Sequence, residues 1–377
     1  MDLSFLAFLL LLPLAYANGT NDVSKAIATL VGSGVTNYRA AILWGTIWTM
    51  LGAGVSAFVA SAMVKTFSQG LIETSTIIQP IVALAVLIGA MVWVLFASYT
   101  GLPVSTTHAL TGAIVGTGLM AFSGEGLLWS AIVQKIALPL LLSPFLALTV
   151  SLLFHPVVRQ LAARWEGACL CVMPASRALV AIDGRGGTRT LFQTASFGKP
   201  VMAVPSQCNR AGLQGLVVGF DTIHWISSGL ASFARGTNDA PKIVAMLLLG
   251  ATTAMWPSVS AQLAAFGGVA LAMGLGSYFG GLRVTEVLAE KVTKMDHAEG
   301  LSANLTTSSL VLVSGTLGLP VSTTHVSSSA IIGIGLLKGL KAVSWTTVRD
   351  MVIAWIVTLP AAALFACLAY LILSRVL

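Results

Sequence analysis

Gly101–His108 reads G-L-P-V-S-T-T-H, and the chain repeats these eight residues unchanged at Gly318–His325, 217 positions later. A second polar block has the same offset, because Gly19-Thr20-Asn21-Asp22 recurs as Gly236-Thr237-Asn238-Asp239. The two blocks therefore begin 82 residues apart in each half of the chain. Such a fixed period indicates an internal duplication, in which each half carries the same two polar blocks.

The composition places these blocks in a membrane protein. Of the 377 residues, 56% are hydrophobic and 9% are charged, whereas soluble domains carry about 25% charged residues. The formal net charge of +7 is then typical of basic cytoplasmic loops, and no nucleic-acid partner is expected. The sequence predicts an all-α integral membrane protein that crosses the lipid bilayer of the cell membrane several times.

The apolar runs divide the chain into three regions. Residues 1–154 form the first membrane repeat, residues 155–213 a central linker or small subdomain, and residues 214–377 the second membrane repeat. The first membrane segment, Leu3–Val35, is interrupted by the polar residues Asn18–Lys25. We therefore expect a broken first helix in each half.

The central stretch contains seven Lys and Arg residues, which predicts that it is cytoplasmic. Within it, Ala178–Ile182 and Thr190–Phe192 flank a Gly-rich turn, a pattern typical of a β-hairpin. A small β element is one interpretation of this region, and a mobile linker is the alternative.

Basic residues also predict how the two halves are oriented. The connection at residues 281–300 contains three Lys and Arg residues, whereas its counterpart at residues 65–79 contains one. Other equivalent connections differ in the same sense, as expected if the second half enters the membrane upside down. The sequence thus predicts two inverted-topology repeats with both termini outside.

The eight-residue motif is expected at the tip of a re-entrant helical hairpin in each half. Ile81–Phe122 is flanked by basic-poor connections and Leu301–Leu337 by basic-rich ones, so each hairpin enters and leaves on one face. Pro103 and Pro320 interrupt the helices, because proline lacks the backbone donor and clashes with the preceding turn. Two tips that enter from opposite faces should meet near the bilayer centre.

The tips carry six hydroxyl side chains, which are Ser105, Thr106, Thr107, Ser322, Thr323 and Thr324. Each set follows a proline and precedes a new helix. Free amides at a helix N-terminus, reinforced by hydroxyl donors, form an anion site. The alternative is that these residues serve as N-caps and packing residues. Two identical copies in opposed halves favour the anion site.

The second block places polar side chains inside apolar segments, at Asn21, Asp22, Asn238 and Asp239. An ionised Asp at the bilayer centre costs at least about 2.5–3.5 kcal/mol, which indicates a function. Carboxylate and amide oxygens suit Na⁺, and protonation of the same carboxylates is the competing use. Lys25 and Lys242 follow the two Asp residues at helical i,i+3 spacing, so buried ion pairs are a structural alternative.

Each motif ends in a histidine, His108 or His325. A hydrogen bond that fixes the hairpin is favoured over proton relay for these residues. The sequence contains neither a nucleotide-binding G-x-x-x-x-G-K-[ST] loop nor an H-E-x-x-H zinc motif, so no cofactor is expected.

Together, the G-x-N-D blocks and the P-V-S-T-T-H motifs resemble the signatures of the inorganic phosphate transporter (PiT) family of cation-coupled phosphate symporters. The resemblance covers Asn18–Phe154 and Phe220–Leu373. It implies a secondary active transporter, not an enzyme, that imports inorganic phosphate with Na⁺ or H⁺ by alternating access. It further implies that the six tip hydroxyls bind phosphate, that the Asn-Asp pairs handle the coupling ions, and that the protein is a homodimer.

The chain departs from the commoner G-A-N-D-V-A-N-A form of the family signature at Lys25 and Lys242. A lysine can occupy a cation's position electrostatically, which keeps H⁺ as an alternative to Na⁺. A transporter of another tetrahedral oxyanion such as sulfate is the alternative within this class. An intramembrane enzyme would need distinct acid and base groups, whereas the duplicated tips supply near-identical ones, and buried Asp residues disfavour a purely structural subunit.

Overall fold

A computed structural model describes eight ranges of the chain, which are residues 3–73, 78–165, 169–172, 178–182, 188–192, 200–203, 217–249 and 258–376. Within these ranges the protein is nearly all helical. Five of the described helices are long and apolar enough to cross a membrane: Tyr38–Val59, Pro80–Thr100, Trp129–Ala163, Val259–Gly280 and Trp345–Val376. Large apolar side chains such as Phe58, Phe145 and Phe279 lie on the outer surface. The molecule is a multi-pass membrane protein.

The helices of the first half are α1 Leu3–Asp22, α2 Ser24–Gly32, α3 Tyr38–Val59, α4 Ser61–Gln69, α5 Pro80–Thr100, α6 Thr106–Phe122, α7 Trp129–Ala131 and α8 Leu138–Trp165. Those of the second half are α9 Phe220–Val244, α10 Val259–Gly280, α11 Leu282–Glu286, α12 His297–Thr316, α13 Thr323–Leu337 and α14 Trp345–Val376. Short π-helical or 3₁₀ segments lie at Ile132–Ala137, Ala245–Leu248, Val287–Lys291 and Leu340–Ala342.

Helix contacts repeat between the two halves. Helix α1 packs against α10, and its counterpart α9 packs against α3. In the same way, α14 packs against α6 and α8 packs against α13. Four pairs of helices occupy matching sequence positions in the two halves: α1 and α9, α3 and α10, α6 and α13, and α8 and α14. Each of these contacts in one half therefore has an equivalent contact in which the roles of the two halves are exchanged. The halves therefore interlock, and each buries its apolar surface largely against the other.

The first helix of each half differs from the sequence prediction. In the first half, α1 ends at Asp22 and α2 begins at Ser24, so that only Val23 separates them. In the second half, α9 continues through the Asn-Asp pair to Val244. The prediction of a broken first helix is therefore wrong for the second half, and the break in the first half is one residue long.

The helices continue because the glycines of these blocks serve helix packing and do not break the helix. A Cβ atom on Gly19 would lie 2.1 Å from the carbonyl oxygen of Met273, and one on Gly236 would lie 2.4 Å from that of Thr49. The two glycines thus let helix backbones approach closely, as small residues do in membrane proteins. They need no change of backbone conformation, because neither has a positive φ.

The eight-residue motifs lie at the ends of two helical hairpins. Helix α5 packs against α6 and α12 packs against α13. Each tip starts with a glycine in the left-handed region, Gly101 with φ 77° and Gly318 with φ 66°, a conformation that costs a residue without Cβ little. The next helices begin at Thr106 and Thr323. The chain thus leaves helical geometry at both motifs, where the prolines predict it.

The structure describes five short strands, four within the central stretch and the fifth just after it. Strand β1 (Cys169–Val172) pairs antiparallel with β4 (Pro200–Ala203) and β5 (Val217–Val218). Strand β2 (Ala178–Ile182) pairs antiparallel with β3 (Thr188–Phe192), at the positions where the sequence pattern predicts a β-hairpin. The turn of that hairpin lies outside the described residues. Helix α8 continues 11 residues beyond residue 154, the predicted end of the first repeat.

Candidate functional site

The first serine of each tip caps the helix that follows. The Ser105 hydroxyl accepts a hydrogen bond from the backbone N–H of His108, at 3.2 Å. The Ser322 hydroxyl accepts one from the N–H of His325, at 3.1 Å. Both serines therefore have the N-cap role that was the structural alternative. A capping hydroxyl that accepts in this way still has its own proton to donate.

The two tips touch each other in the interior of the protein. The Thr324 hydroxyl of the second tip donates to the Val104 carbonyl of the first, at 2.6 Å. The rings of His108 and His325 lie 4.6 Å apart between their centres. The duplicated motifs, separated by more than half of the chain, thus form one cluster.

His325 makes further contacts. One ring nitrogen of His325, Nδ1, lies 3.3 Å from the Leu140 carbonyl, and the ring stacks on Trp355 with 4.2 Å between centres. The Trp355 indole N–H donates to the Pro103 carbonyl of the first tip, at 3.2 Å. These contacts join His325 to α8 and α14, and a role of the two histidines in fixing the hairpins stays a prediction.

In the first half, the Asn-Asp block clamps its own tip. The Asn21 amide donates to the Leu102 carbonyl at 3.0 Å, and its side-chain oxygen accepts from the Val104 N–H at 3.1 Å. The same oxygen accepts from the Lys25 ammonium at 2.7 Å. Lys25 also contacts the Asp22 carboxylate. The ion pair that the sequence offered as an alternative is therefore present.

In the second half, the arrangement is similar but looser. The Lys242 ammonium lies 3.3 Å from the Asp239 carboxylate and 3.2 Å from the Val321 carbonyl of its own tip. It also donates to the Thr107 hydroxyl of the other half's tip, at 2.9 Å. The Asn238 amide donates to Asp239 at 2.8 Å. Lys242 thereby joins the second block to the first motif.

Two further residues belong to this cluster, and the sequence analysis did not single them out. The Asn18 amide donates to Asp22 at 3.0 Å, to the Thr106 hydroxyl at 3.0 Å and to Asp239 at 3.3 Å. The residue 217 positions later is Arg235. The signal that could have found both is this shared offset, together with an Arg inside an apolar segment.

Arg235 is buried without a direct ion pair among the described residues. Its guanidinium donates to the Thr49 hydroxyl at 2.6 Å and to the Ser277 hydroxyl at 3.4 Å. Its Nε and Nη1 atoms have no hydrogen-bond partner in the described part of the chain. The group lies within electrostatic range of the Asp22 and Asp239 carboxylates. Its free donors are therefore available to an anionic ligand.

The cluster is closed to solvent and carries a formal excess of positive charge. Its charged residues are each at most 2% exposed, and they are Asp22, Lys25, Arg235, Asp239 and Lys242. Lys25 and Lys242 each contact one of the two carboxylates, and Arg235 is a third buried cation. A buried excess charge is costly unless a counter-ion compensates it. Chemically, the hydroxyl groups and helix N-termini of the two tips are donors that suit an anion.

Comparison with known proteins gives the family. The sequence pattern of the Phosphate transporter family matches residues 18–366. The chain belongs to this family. A protein of Pyrococcus horikoshii named "Putative phosphate permease" is 30% identical over 395 residues, with 96% of this chain and 95% of the relative covered. A Bacillus subtilis protein named "Probable low-affinity inorganic phosphate transporter" is 28% identical, with 99% and 98% covered. The family resemblance recognised from the sequence is confirmed.

A solved structure named "The sodium-dependent phosphate transporter" has the same fold. It superimposes on this phosphate transporter family member with a TM-score of 0.76 over 100% of both chains. The sequence identity between the two is 24%, so this likeness concerns the fold. The family is one of transporters, a class distinct from enzymes.

Proposed function

We propose that the protein is a secondary active transporter that imports inorganic phosphate by alternating access, driven by a cation gradient. Family membership supports phosphate as the substrate. The observation that carries the site assignment is the bond from Lys242 to the Thr107 hydroxyl of the opposite motif, because it joins the second polar block to the tip of the other half.

Phosphate binds, in this proposal, between the two tips. Donors come from the tip hydroxyls Ser105, Thr106, Thr107, Ser322, Thr323 and Thr324, and from the N-termini of α6 and α13. Arg235 adds the donors Nε and Nη1, which have no other partner among the described residues. A guanidinium suits this task, because its planar fork matches phosphate oxygens in a bidentate manner.

The coupling ion is Na⁺ or H⁺. The name of the sodium-dependent structural neighbour makes Na⁺ one candidate, with Asn21, Asp22, Asn238 and Asp239 as its oxygen ligands. Protons could be carried by the same two carboxylates.

The two halves are proposed to be inverted in the membrane. The tips then enter as re-entrant hairpins from opposite faces, both termini lie outside, and the central stretch is cytoplasmic. Helix contacts that persist when the halves are exchanged support such an internal symmetry. A site closed on all sides, as here, is one state of an alternating-access cycle. A homodimer in the cell membrane is proposed from the family resemblance.

Transport in proteoliposomes tests the function. Labelled phosphate uptake is measured with Na⁺ and pH gradients imposed separately and together. We expect accumulation that depends on at least one gradient. Equal uptake under all gradients would remove coupling, and no uptake above empty liposomes would remove phosphate transport. The names of the relatives specify phosphate and give sulfate no support, so unlabelled sulfate is expected to compete weakly.

A further inference from the structure

Lys25 lies in a cage of oxygen atoms. Its ammonium donates to the Asn21 carbonyl at 2.9 Å, to the Asn21 side-chain oxygen at 2.7 Å and to the Val104 carbonyl at 3.4 Å, and it contacts the Asp22 carboxylate. An ammonium group has three N–H donors, so these four oxygens satisfy it fully. The side chain is 2% exposed.

Lys242 lies in the corresponding cage of the second half. Its ammonium is 2.9 Å from the Thr107 hydroxyl, 3.2 Å from the Val321 carbonyl and 3.3 Å from the Asp239 carboxylate. As with Lys25, one ligand is the Asp of its own block and one is a backbone carbonyl of its own tip. The two cages are therefore equivalent under the 217-residue offset.

Carboxylate, side-chain amide, hydroxyl and backbone carbonyl oxygens are the ligands that hard cations prefer. In transporters, unwound backbone at a helix break supplies such carbonyls to Na⁺. Here each ammonium nitrogen lies within 3.5 Å of three or four such oxygens. A second monovalent cation at the same oxygens would meet a like charge in a low-dielectric interior.

We propose that the Lys25 and Lys242 ammonium groups are tethered cations that permanently occupy the two positions where the Asn-Asp blocks would hold a coupling Na⁺, so that phosphate is transported independently of Na⁺. This inference rests on the proposed phosphate transport and narrows its coupling ion. It differs from the property named for the structural neighbour.

The charge balance of the cluster agrees with this assignment. Lys25, Lys242 and Arg235 give three positive charges, and Asp22 and Asp239 give two negative ones, all buried. A monovalent phosphate, H₂PO₄⁻, brings the described site to formal neutrality with no additional ion. With H₂PO₄⁻ bound, one added Na⁺ would give the site a net positive charge, which is unfavourable for a buried cluster.

The first test is uptake by the unaltered protein in proteoliposomes, with choline replacing Na⁺ on both sides and the pH difference held fixed. We expect the initial rate of phosphate uptake to change by less than about twofold. A rise of about tenfold or more with Na⁺ would overturn the inference while leaving phosphate transport intact. Absence of phosphate uptake in either medium would count against the proposed function instead.

The second test uses matched pairs of variants at each cage. Lys25→Ala removes the ammonium and leaves space among the oxygens, whereas Lys25→Met removes the charge and fills the space with an apolar chain. We expect Lys25→Ala to lose more than about a hundredfold of its phosphate uptake in choline and to regain a large part with Na⁺. We expect Lys25→Met to stay inactive in both media.

Lys242→Ala and Lys242→Met form the second pair and keep the test decisive if the Lys25 variants fail to fold. Folding is checked by monodisperse elution from size-exclusion chromatography in detergent with and without Na⁺. Rescue by Na⁺ of an Ala variant and not of the matching Met variant supports the inference. Folded Ala variants that Na⁺ does not rescue, or Met variants with full activity, contradict it.

Discussion

Lys242 and Asp239 offer the sharpest test of how the buried cluster is held together. Both side chains are at most 3% exposed, and their charged atoms are 3.3 Å apart. In Lys242→Met, two neutral donors to the Asp239 carboxylate remain among the residues that the structure describes, the amides of Asn238 at 2.8 Å and Asn18 at 3.3 Å. Loss of one partner from a buried ion pair destabilises a protein by about 3–5 kcal/mol. We expect this loss for Lys242→Met and for Asp239→Asn.

The double variant separates pairing from packing. If the two charges stabilise each other, Asp239→Asn with Lys242→Met should be about 2–3 kcal/mol more stable than the sum of the single effects predicts. The assay is chemical unfolding in mixed micelles, followed by tryptophan fluorescence, with phosphate uptake measured in parallel. Single effects that add within about 0.5 kcal/mol would refute the reasoning, because they would mean that the two side chains do not interact.

Three other predictions address the site and its packing. Arg235→Gln should raise the dissociation constant of phosphate by about tenfold or more in equilibrium dialysis, because charged donors are lost. The control Arg39→Gln, at an exposed position, should leave this constant unchanged. Gly236→Ala should destabilise the protein by about 1–3 kcal/mol in thermal unfolding, because the added methyl group meets backbone atoms. The control is Gly54→Ala, where no atom lies within 4 Å of the added Cβ. It should change the stability by less than about 0.5 kcal/mol. Asp22→Asn should abolish phosphate uptake, and full activity in a folded variant would remove its assigned role.

Much of the candidate site could be predicted from the sequence, because duplication marks it. The residues Asn21, Asp22, Asn238 and Asp239 and both tips were identified from their common offset alone. The possible ion pairs were visible too, since i,i+3 spacing places Lys25 beside Asp22 on one helix face. Local spacing fixes such contacts within one helix before any tertiary structure is known.

Other features depend on the packing of distant helices. Gly236 lies in the segment where a helix break was predicted, but α9 continues unbroken through it. The carbonyl of Thr49 lies so close to Gly236 that only a residue without a side chain fits there. Arg235 stands out only once its free donors and its burial are known. A sequence pattern gives residue types and periods, whereas the identity of a neighbour across a helix interface depends on how the interface forms.

The sequence by itself determined the membrane class, the duplication and the family, because hydropathy, a repeated motif and a fixed offset are properties of the chain alone. Only the tertiary structure decided that Lys242 reaches Thr107, a residue 135 positions away in the other half, and that each ammonium nitrogen lies within 3.5 Å of three or four oxygens. Those distances follow from the interlocking of the two halves, which brings together groups that no local rule connects.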